Sequence, residues 1–550
     1  MNLSKVILVQ PPIEDFYLTK KRTIPYGLAC IAASLQKQGF DVEILDALAT
    51  NKAKTIAYPE EFSYLKQFYG QKDNTRFSLF HEFKHFGYSY EYIATQIRDK
   101  QPFVVGISSL FTAYHNEALK TAQKIKKFSP ECKIVLGGHH PTQFAKKALQ
   151  CSSIDFVLRG EGETSMGLLC KALQNNSNLE QNQNIKQIPG IAFRKNNSFF
   201  ISDPLWLKDL NEAPLPAFNL INHKFYQRKN GTSSIVVSSR GCPMQCSYCS
   251  VSALSSYAPF RQRSIDNVIQ EIKYQIKNQK IGFIDFEDEN LCLNKQWFLS
   301  LFSQIKQITA NRNIELRAMN GLYPPAIDED IILMMKGSGF KTLNLSLGSI
   351  CIKQLEKFKR KNVRASFENA LCLARKHDLE CVSYIIAAAP DQNAQSSLED
   401  LLYLAQKRTL IGLSIYYPAP GSFDYKLYEN ENIFPKHFSL MRSSALPLDH
   451  KTSRIQAVTL LRLSRILNFM KHLKDTNDTI GKPEAFFDHQ FQPSDRQTIS
   501  KKLLQWFFYD GKIRGVNSDG QVYSHLIDID LTQKFIKKIQ KIEIAGSVKS

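Results

Sequence analysis

Continuous apolar runs, each followed by an amphipathic helical stretch, recur in two arrays along the 550 residues and constrain the fold more than any other feature. Such runs mark strands buried on both faces, as in a parallel sheet whose helical crossovers cover both sides. The first array predicts strands at 6–10, 42–45, 103–107, 133–136 and 156–158, with helices at 26–35, 92–98, 119–128 and 144–149. This is the pattern of an α/β, doubly wound (Rossmann-like) domain over 1–170. An aromatic and charged insertion at about 50–90 has no assignable structure. Residues 171–229 read as a polar, low-complexity stretch (175–187), a hairpin and a linker punctuated by Ala213-Pro-Leu-Pro216.

The second array spans 230–430, with strands at 234–238, 282–286, 315–318, 342–347, 382–387 and 413–417. Helices at 268–276, 297–308, 329–335, 366–376 and 398–405 separate them, predicting a partial (TIM-like) β/α barrel. Its chemistry belongs at the carboxyl ends of the strands. Strand signals fade beyond 430. Helical stretches at 458–469 and 531–542 predict a mostly helical C-terminal domain over 431–550.

Hydrophobic residues make up 43% and charged residues 22%, which excludes wholesale disorder and collagen-like structure. The net charge is 71 − 51 = +20. That balance would suit nucleic acid, an anionic surface or a phosphorylated substrate. The positive residues are scattered, however (20–22, 126–127, 357–361, 537–538), and form no long basic tail, so a lysine-rich solvated surface is the expectation. The apolar runs fall short of the roughly eighteen residues of a membrane helix, and the start lacks a signal-peptide pattern. A soluble cytoplasmic protein without a transmembrane segment is therefore expected. Eleven cysteines in such a setting argue against a disulfide scaffold. Eight are scattered and read as small buried hydrophobes.

The other three are crowded into Arg240-Gly-Cys-Pro-Met-Gln-Cys-Ser-Tyr-Cys-Ser250, directly after the first strand of the second array. Cys242, Cys246 and Cys249 have the spacing C-x3-C-x2-C. Tight Gly and Pro turns let three thiolates converge on one soft metal centre. Iron–sulfur clusters are normally held by four such cysteines. Here the next one, Cys292, lies more than forty residues on. A three-thiolate site leaves one iron open to a substrate or cofactor. A zinc site would want a fourth Cys or His at zinc spacing, and none is nearby.

This loop resembles the signature of the radical S-adenosylmethionine (SAM) superfamily. The resemblance implies a [4Fe–4S] cluster on Cys242, Cys246 and Cys249, with SAM chelating the open iron and Tyr248 contacting the adenine. Reductive cleavage would yield methionine and a deoxyadenosyl radical. Glu287 and Asp288, in Glu287-Asp-Glu-Asn290, resemble the acidic stretch that meets the amino group of SAM. Ser346 and Ser349, in Leu345-Ser-Leu-Gly-Ser349, and Arg360 resemble the segment contacting its ribose and carboxylate. Tyr417-Pro-Ala-Pro-Gly-Ser422 resembles the family's final strand and loop.

The first domain resembles the cobalamin-binding domain often fused ahead of this barrel. The matching residues are Pro11-Pro12, Pro25-Tyr-Gly-Leu28, Asp46-Ala47, Gly106-Ile-Ser-Ser-Leu110, Gly137-Gly138 and Arg159-Gly-Glu-Gly-Glu163. Loops at the carboxyl ends of parallel strands form the ligand crevice. Ser108, Ser109, Leu110, Gly137 and Gly138 are the expected cobalamin-binding residues, small ones admitting a macrocycle or its tail close to the backbone. The D-x-H-x-x-G loop that supplies a lower cobalt ligand is absent, and Gln10-Pro-Pro-Ile-Glu-Asp-Phe16 stands in its place. His139 and His140 follow Gly138 and are expected in a helix-start role.

The resemblance, covering about residues 1–430, implies a cobalamin-dependent radical SAM methyltransferase acting on an unactivated carbon or phosphorus centre of a small molecule. One SAM would methylate cobalamin, and a second would generate the radical that activates the substrate. It also implies an electron donor such as flavodoxin or ferredoxin. Cyclisation or rearrangement without methyl transfer is one alternative. A corrin-free enzyme modifying RNA is another, but no aromatic–basic RNA-reading motif supports a nucleic-acid partner.

Overall fold

The computed structural model describes residues 2–17, 23–175, 183–196, 198–228, 231–254 and 259–547. The basic stretch 20–22 and most of the polar segment 175–187 lie outside them. Part of that segment, expected as a loose surface stretch, is a short helix, Gln183–Lys186, because Ile185 buries its side chain in the first core. By its contacts the chain divides into two compact units. One comprises Met1–Ile56, Phe83–Pro243 and Ser250–Ile284; the other comprises Ala57–Glu82, Met244–Cys249 and Asp285–Ser550.

The first unit is built on a seven-stranded sheet. Its strands are β1 (Asn2–Gln10), β2 (Asp41–Asp46), β3 (Pro102–Ser108), β4 (Lys133–Gly137), β5 (Phe156–Leu158) and the hairpin β6 (Ile191–Lys195) and β7 (Ser198–Ile201). The order is β7-β6-β5-β4-β3-β1-β2, parallel through β1 to β5, with β6 antiparallel to β5. The hairpin expected in the linker thus extends this sheet. Alternate residues feed two separate cores, the signature of a sheet covered on both sides. Val6 and Leu8 of β1 pack with Val104, Val135 and Phe156 against Leu28, Ala32 and Leu169. Ile7 and Val9 pack with Val105, Ile134 and Leu136 against Ile93, Ile97, Ala118 and Ile125. Helices α1 (Tyr26–Lys37), α2 (Tyr90–Lys100), α3 (His115–Phe128) and α4 (Gly162–Asn175) supply those faces. The helix expected at 144–149 is Ala145–Leu149, and a second short helix, His139–Gln143, precedes it across Phe144.

The second array follows its predicted elements closely. Its strands are β8 (Gly231–Val236), β9 (Ile281–Phe286), β10 (Glu315–Ala318), β11 (Thr342–Gly348), β12 (Glu380–Ala387) and β13 (Leu410–Ile415). Strand β8 and most of β9 belong to the first unit, and Asp285 and Phe286 to the second. There β11, β12 and β13 run parallel. Strand β13 begins and ends earlier than expected. Asn468 bonds both the N–H and the C=O of Ile411, and Ser443 accepts from Ile415, so side chains saturate this edge of the sheet. Beyond the barrel strands, α5 (Arg454–Asp475), α6 (Arg496–Asp510) and α7 (Ile529–Ile539) dominate, with one small hairpin, Arg514–Val516 and Val522–Ser524.

The insertion at 50–90 divides. Ala53–Thr55 and Lys84–Phe86 pair with Ile13–Asp15 in a three-stranded sheet of the first unit. Residues 57–82 pack in the second unit. Arg462 donates to the Phe68 carbonyl at 2.9 Å, Tyr64 donates to the Ala445 carbonyl, and His525 meets Asp73 at 3.2 Å.

Candidate functional site

In the first unit the strand order reverses between β1 and β3, and a crevice for a ligand opens beyond the carboxyl ends of such strands. The loop after β3 carries Ser109 and Leu110, and the loop after β4 carries Gly138. Ser109 N–H donates to the Gly137 carbonyl at 2.7 Å, and His140 N–H to the Ser109 carbonyl at 3.3 Å. The two loops are thereby stitched together. Gly138 has φ +119, and a Cβ there would lie 2.6 Å from the Ser109 carbonyl oxygen, so only glycine allows this approach. Gly137 is different: a Cβ there would meet only the Leu158 carbonyl oxygen, at an ordinary contact distance of 3.8 Å. Ser109 is buried, and its hydroxyl meets His115 Nδ1 at 3.1 Å. Ser108 is half-buried, whereas Leu110 and Phe111 project into solvent at 43% and 56% exposure, an unusual position for large apolar side chains. His140 is buried, stacked on His115 at 3.8 Å between ring centroids, with Nδ1 3.1 Å from the Thr112 hydroxyl. Burial lowers the pKa of His115 to about 4 and, with His115 adding to it, that of His140 to about 2, so both rings are neutral. His139 is exposed at the start of its helix.

After β1, where the histidine loop is missing, Ile13–Asp15 is a strand rather than a loop. Glu14 is buried and accepts from Tyr90 at 3.0 Å and Lys120 at 3.0 Å, with His85 Nδ1 at 3.2 Å. Burial opposes its charge, but these partners outweigh it and hold the carboxyl at about 2.

In the second unit, the part of the cysteine loop that it contains, Met244–Cys249, is gripped at Ser247. Its N–H donates to the Phe358 carbonyl at 3.0 Å and its hydroxyl to the Lys357 carbonyl at 2.9 Å, while its own carbonyl accepts from Asp424 N–H at 2.9 Å. Cys249 N–H turns back onto the Cys246 carbonyl at 3.2 Å. Tyr248 packs edge-on against Phe358 at 4.9 Å, and its hydroxyl accepts from Arg360 at 2.7 Å. Arg360 also donates to the Ser346 carbonyl at 2.6 Å and hydroxyl at 2.9 Å. Tyr248 of the cysteine loop therefore meets Arg360, which also holds Ser346 of β11. Arg360 Nε is buried with no acceptor among the described residues. Gly348, at φ +82, keeps the space beside that guanidinium open, since a Cβ would sit 3.4 Å from Nε.

Ser349 is almost fully buried, its hydroxyl held by both oxygens of Asp400 at 3.1 and 2.9 Å, while Ile350 N–H donates to Asp400 at 2.7 Å. It shapes the loop after β11 and does not face open space. Burial raises the Asp400 carboxyl to about 7 against those hydrogen bonds. Asn320 ties the Glu287 carboxylate at 3.4 Å and the Asp288 carbonyl at 3.2 Å, and Asp288 is buried. Asn290, two residues on, has a buried side-chain oxygen with no partner among the described residues.

Sequence reasoning missed Asp400 and a polar group on the strands. Asp285 pairs with Arg317, and Tyr384 donates to Asn344 at 3.0 Å. Asp285 is the single polar residue of the apolar β9, a signal the sequence does carry, whereas Arg317, Asn344 and Tyr384 lie in strands with other polar residues and give none.

The B12 binding domain family matches residues 77–169, and the radical SAM superfamily matches residues 236–404. The chain joins a B12 binding domain to a radical SAM domain. This radical SAM enzyme is 25% identical over 441 residues to an uncharacterized methyltransferase of Pyrococcus horikoshii, covering 78% of this chain and 84% of that protein. It is 23% identical to an anaerobic magnesium-protoporphyrin IX monomethyl ester cyclase of Cereibacter sphaeroides, over 65% of this chain and 60% of that one. Its fold matches the radical SAM methyltransferase TsrM of Kitasatospora setae, solved with cobalamin and a [4Fe–4S] cluster bound. The TM-score is 0.57 at 15% identity, over 81% of each chain.

The cofactors of this radical SAM enzyme are a [4Fe–4S] cluster, SAM and cobalamin. Its residues fit them in chemistry: soft thiols for iron, a half-buried guanidinium with a spare Nε donor for a carboxylate, and an uncrowded glycine near exposed apolar residues for a macrocycle. Among the described residues, no three Cys, His, Asp or Glu side chains converge closely enough to hold a metal ion. The cysteine assignment therefore rests on the spacing, the anchored loop and the superfamily match. No helix among the described residues is long and apolar enough to cross a membrane.

Proposed function

We propose that this enzyme transfers a methyl group to an unactivated carbon or phosphorus centre of a small molecule. The observation that carries the reading is one chain holding both a B12-binding sheet with its crevice and a cysteine loop whose Tyr248 meets Arg360 and Ser346. Similarity to a protein named a methyltransferase supports it. Cys242, Cys246 and Cys249 hold the cluster and leave one iron for SAM. Arg360 Nε faces the SAM carboxylate, Glu287 and Asp288 its ammonium group, and Ser346 its ribose. Tyr248 lies against the adenine, and Ser349 fixes the loop. Ser108, Ser109, Leu110, Gly137 and Gly138 frame the corrin. When bound, the cluster supplies the electron that cleaves SAM homolytically and the corrin supplies a carrier for the methyl group. Flavodoxin or ferredoxin delivers the electron, and the reaction belongs in the cytoplasm, where thiols stay reduced. The helical region 431–550 selects the substrate.

The test is anaerobic reconstitution with iron, sulfide and hydroxocobalamin, followed by incubation with SAM and reductant. Both S-adenosylhomocysteine and deoxyadenosine should form. Deoxyadenosine alone would favour radical cyclisation, in line with the cyclase relative. A protein that takes up no corrin would sink both readings.

A further inference from the structure

The Arg159-Gly-Glu-Gly-Glu163 run follows β5, at the carboxyl edge of the corrin-type sheet, yet its carboxylates are committed elsewhere. Glu161 receives a two-pronged contact from Arg261, at 2.9 and 3.0 Å, and meets Arg240 at 3.2 Å. Glu163 accepts from Arg240 at 2.7 Å. All four residues lie in the first compact unit. The side chains of Glu161, Glu163 and Arg261 are no more than 10% exposed, and that of Arg240 is 24% exposed. The backbone fixes both ends. Ser239–Arg240 pairs with Arg261–Gln262 in a two-stranded ladder. Glu161 N–H donates to the Leu205 carbonyl at 2.8 Å, and Leu207 N–H donates to the Glu161 carboxylate at 2.6 Å. Gly160, at φ +83, packs so tightly that a Cβ would lie 2.1 Å from the Leu205 oxygen.

Arg240 stands two residues before Cys242, and Gly241, at φ +87, turns the chain between them. The root of the cysteine loop is therefore held by the turn after β5 and the first residues of α4. We infer that Glu161 and Glu163 are positioning residues for the cluster: through Arg240 they set where Cys242 presents its sulfur. This rests on the reading that Cys242, Cys246 and Cys249 bind the cluster. Desolvated charge pairs of this kind tolerate poorly the loss of one partner, because the other is left buried and unpaired. Arginine's planar fork also makes their geometry directional.

The experiment uses the full chain reconstituted with cluster and hydroxocobalamin, as wild type, Glu163→Gln, Arg240→Lys and the exchange Glu163→Arg with Arg240→Glu. In Glu163→Gln, hydroxocobalamin uptake should match wild type. Iron should leave to a chelator about tenfold faster, and the electron paramagnetic resonance signal of the reduced, SAM-bound cluster should change. Arg240→Lys should fall between, and the exchange should restore part of the loss. If Glu163→Gln does not fold, Arg240→Lys carries the same readouts. Unchanged spectra and chelator rates in these variants, with only a lower melting temperature, would overturn the inference. A wild type that takes up no iron would instead overturn the cluster reading.

Discussion

Arg360 shows how much one side chain settles. Its run, Lys357-Phe-Lys-Arg-Lys361, reads equally as a solvated basic patch. Burial and three hydrogen bonds to Tyr248 and Ser346 separate Arg360 from its exposed lysine neighbours. Arg360→Lys keeps the charge but loses the fork. SAM affinity, measured by equilibrium dialysis on the cluster-loaded protein, should fall about tenfold with iron content unchanged. Asp400 makes a pH prediction. Burial raises its carboxyl to about 7, whereas an unfolded chain titrates near the ordinary aspartate value, about 3.9. The folded protein therefore holds a proton that the unfolded chain has released in between. Its contribution to stability is present below about pH 4, declines as pH rises and is lost above about 7. Thermal unfolding from pH 5 to 8 should show a steeper loss in wild type than in Asp400→Asn. Neither burial nor partner was legible in the sequence, where Asp400 is one acidic residue in Leu398-Glu-Asp-Leu401.

At the scale of elements, sequence and structure agree wherever periodicity is strong. The β5 and β10 boundaries match the expectation, and β1 through β4 differ only at their ends, because alternation and apolar content are local properties. The loops were legible as glycines but not as roles. Gly137 and Gly138 look alike in sequence, yet a Cβ at the first would make only an ordinary contact and one at the second would crowd the Ser109 carbonyl. Gly138→Ala should cost about 1–3 kcal/mol and lower the melting temperature. Gly137→Ala should leave stability nearly unchanged and still weaken hydroxocobalamin uptake, read from corrin absorbance. Equal behaviour of the two would argue against the crevice. The segment after β1 carries the same lesson. Its missing histidine was visible, but the strand Ile13–Asp15 and the partners of the buried Glu14, up to 106 positions away, were not.

For the molecule as a whole, long-range ties decide what the pattern left open. Lys471, on α5, is fully buried and donates to the carbonyls of Ala405, Lys407 and Ala545 at 3.2, 2.6 and 3.2 Å. One ammonium thus joins the last barrel helix, the turn before β13 and the C-terminal tail. Lys471→Met should remove these three bonds while the Ala405 and Lys407 carbonyls keep the N–H groups of Ala545 and Thr409, and cost about 1–3 kcal/mol, measured by chemical denaturation. By itself, the sequence determined the two alternating arrays, the helical end and the three-thiol spacing, since each depends on residues within a few turns of one another. Only the tertiary structure decided that residues 57–82 pack with the C-terminal helices, that Tyr248 meets Arg360, and that Glu163 holds Arg240. Those partners lie tens to hundreds of residues apart. Which of many similar charges and aromatics meet is set by closing the whole chain around its cores, not by any local preference.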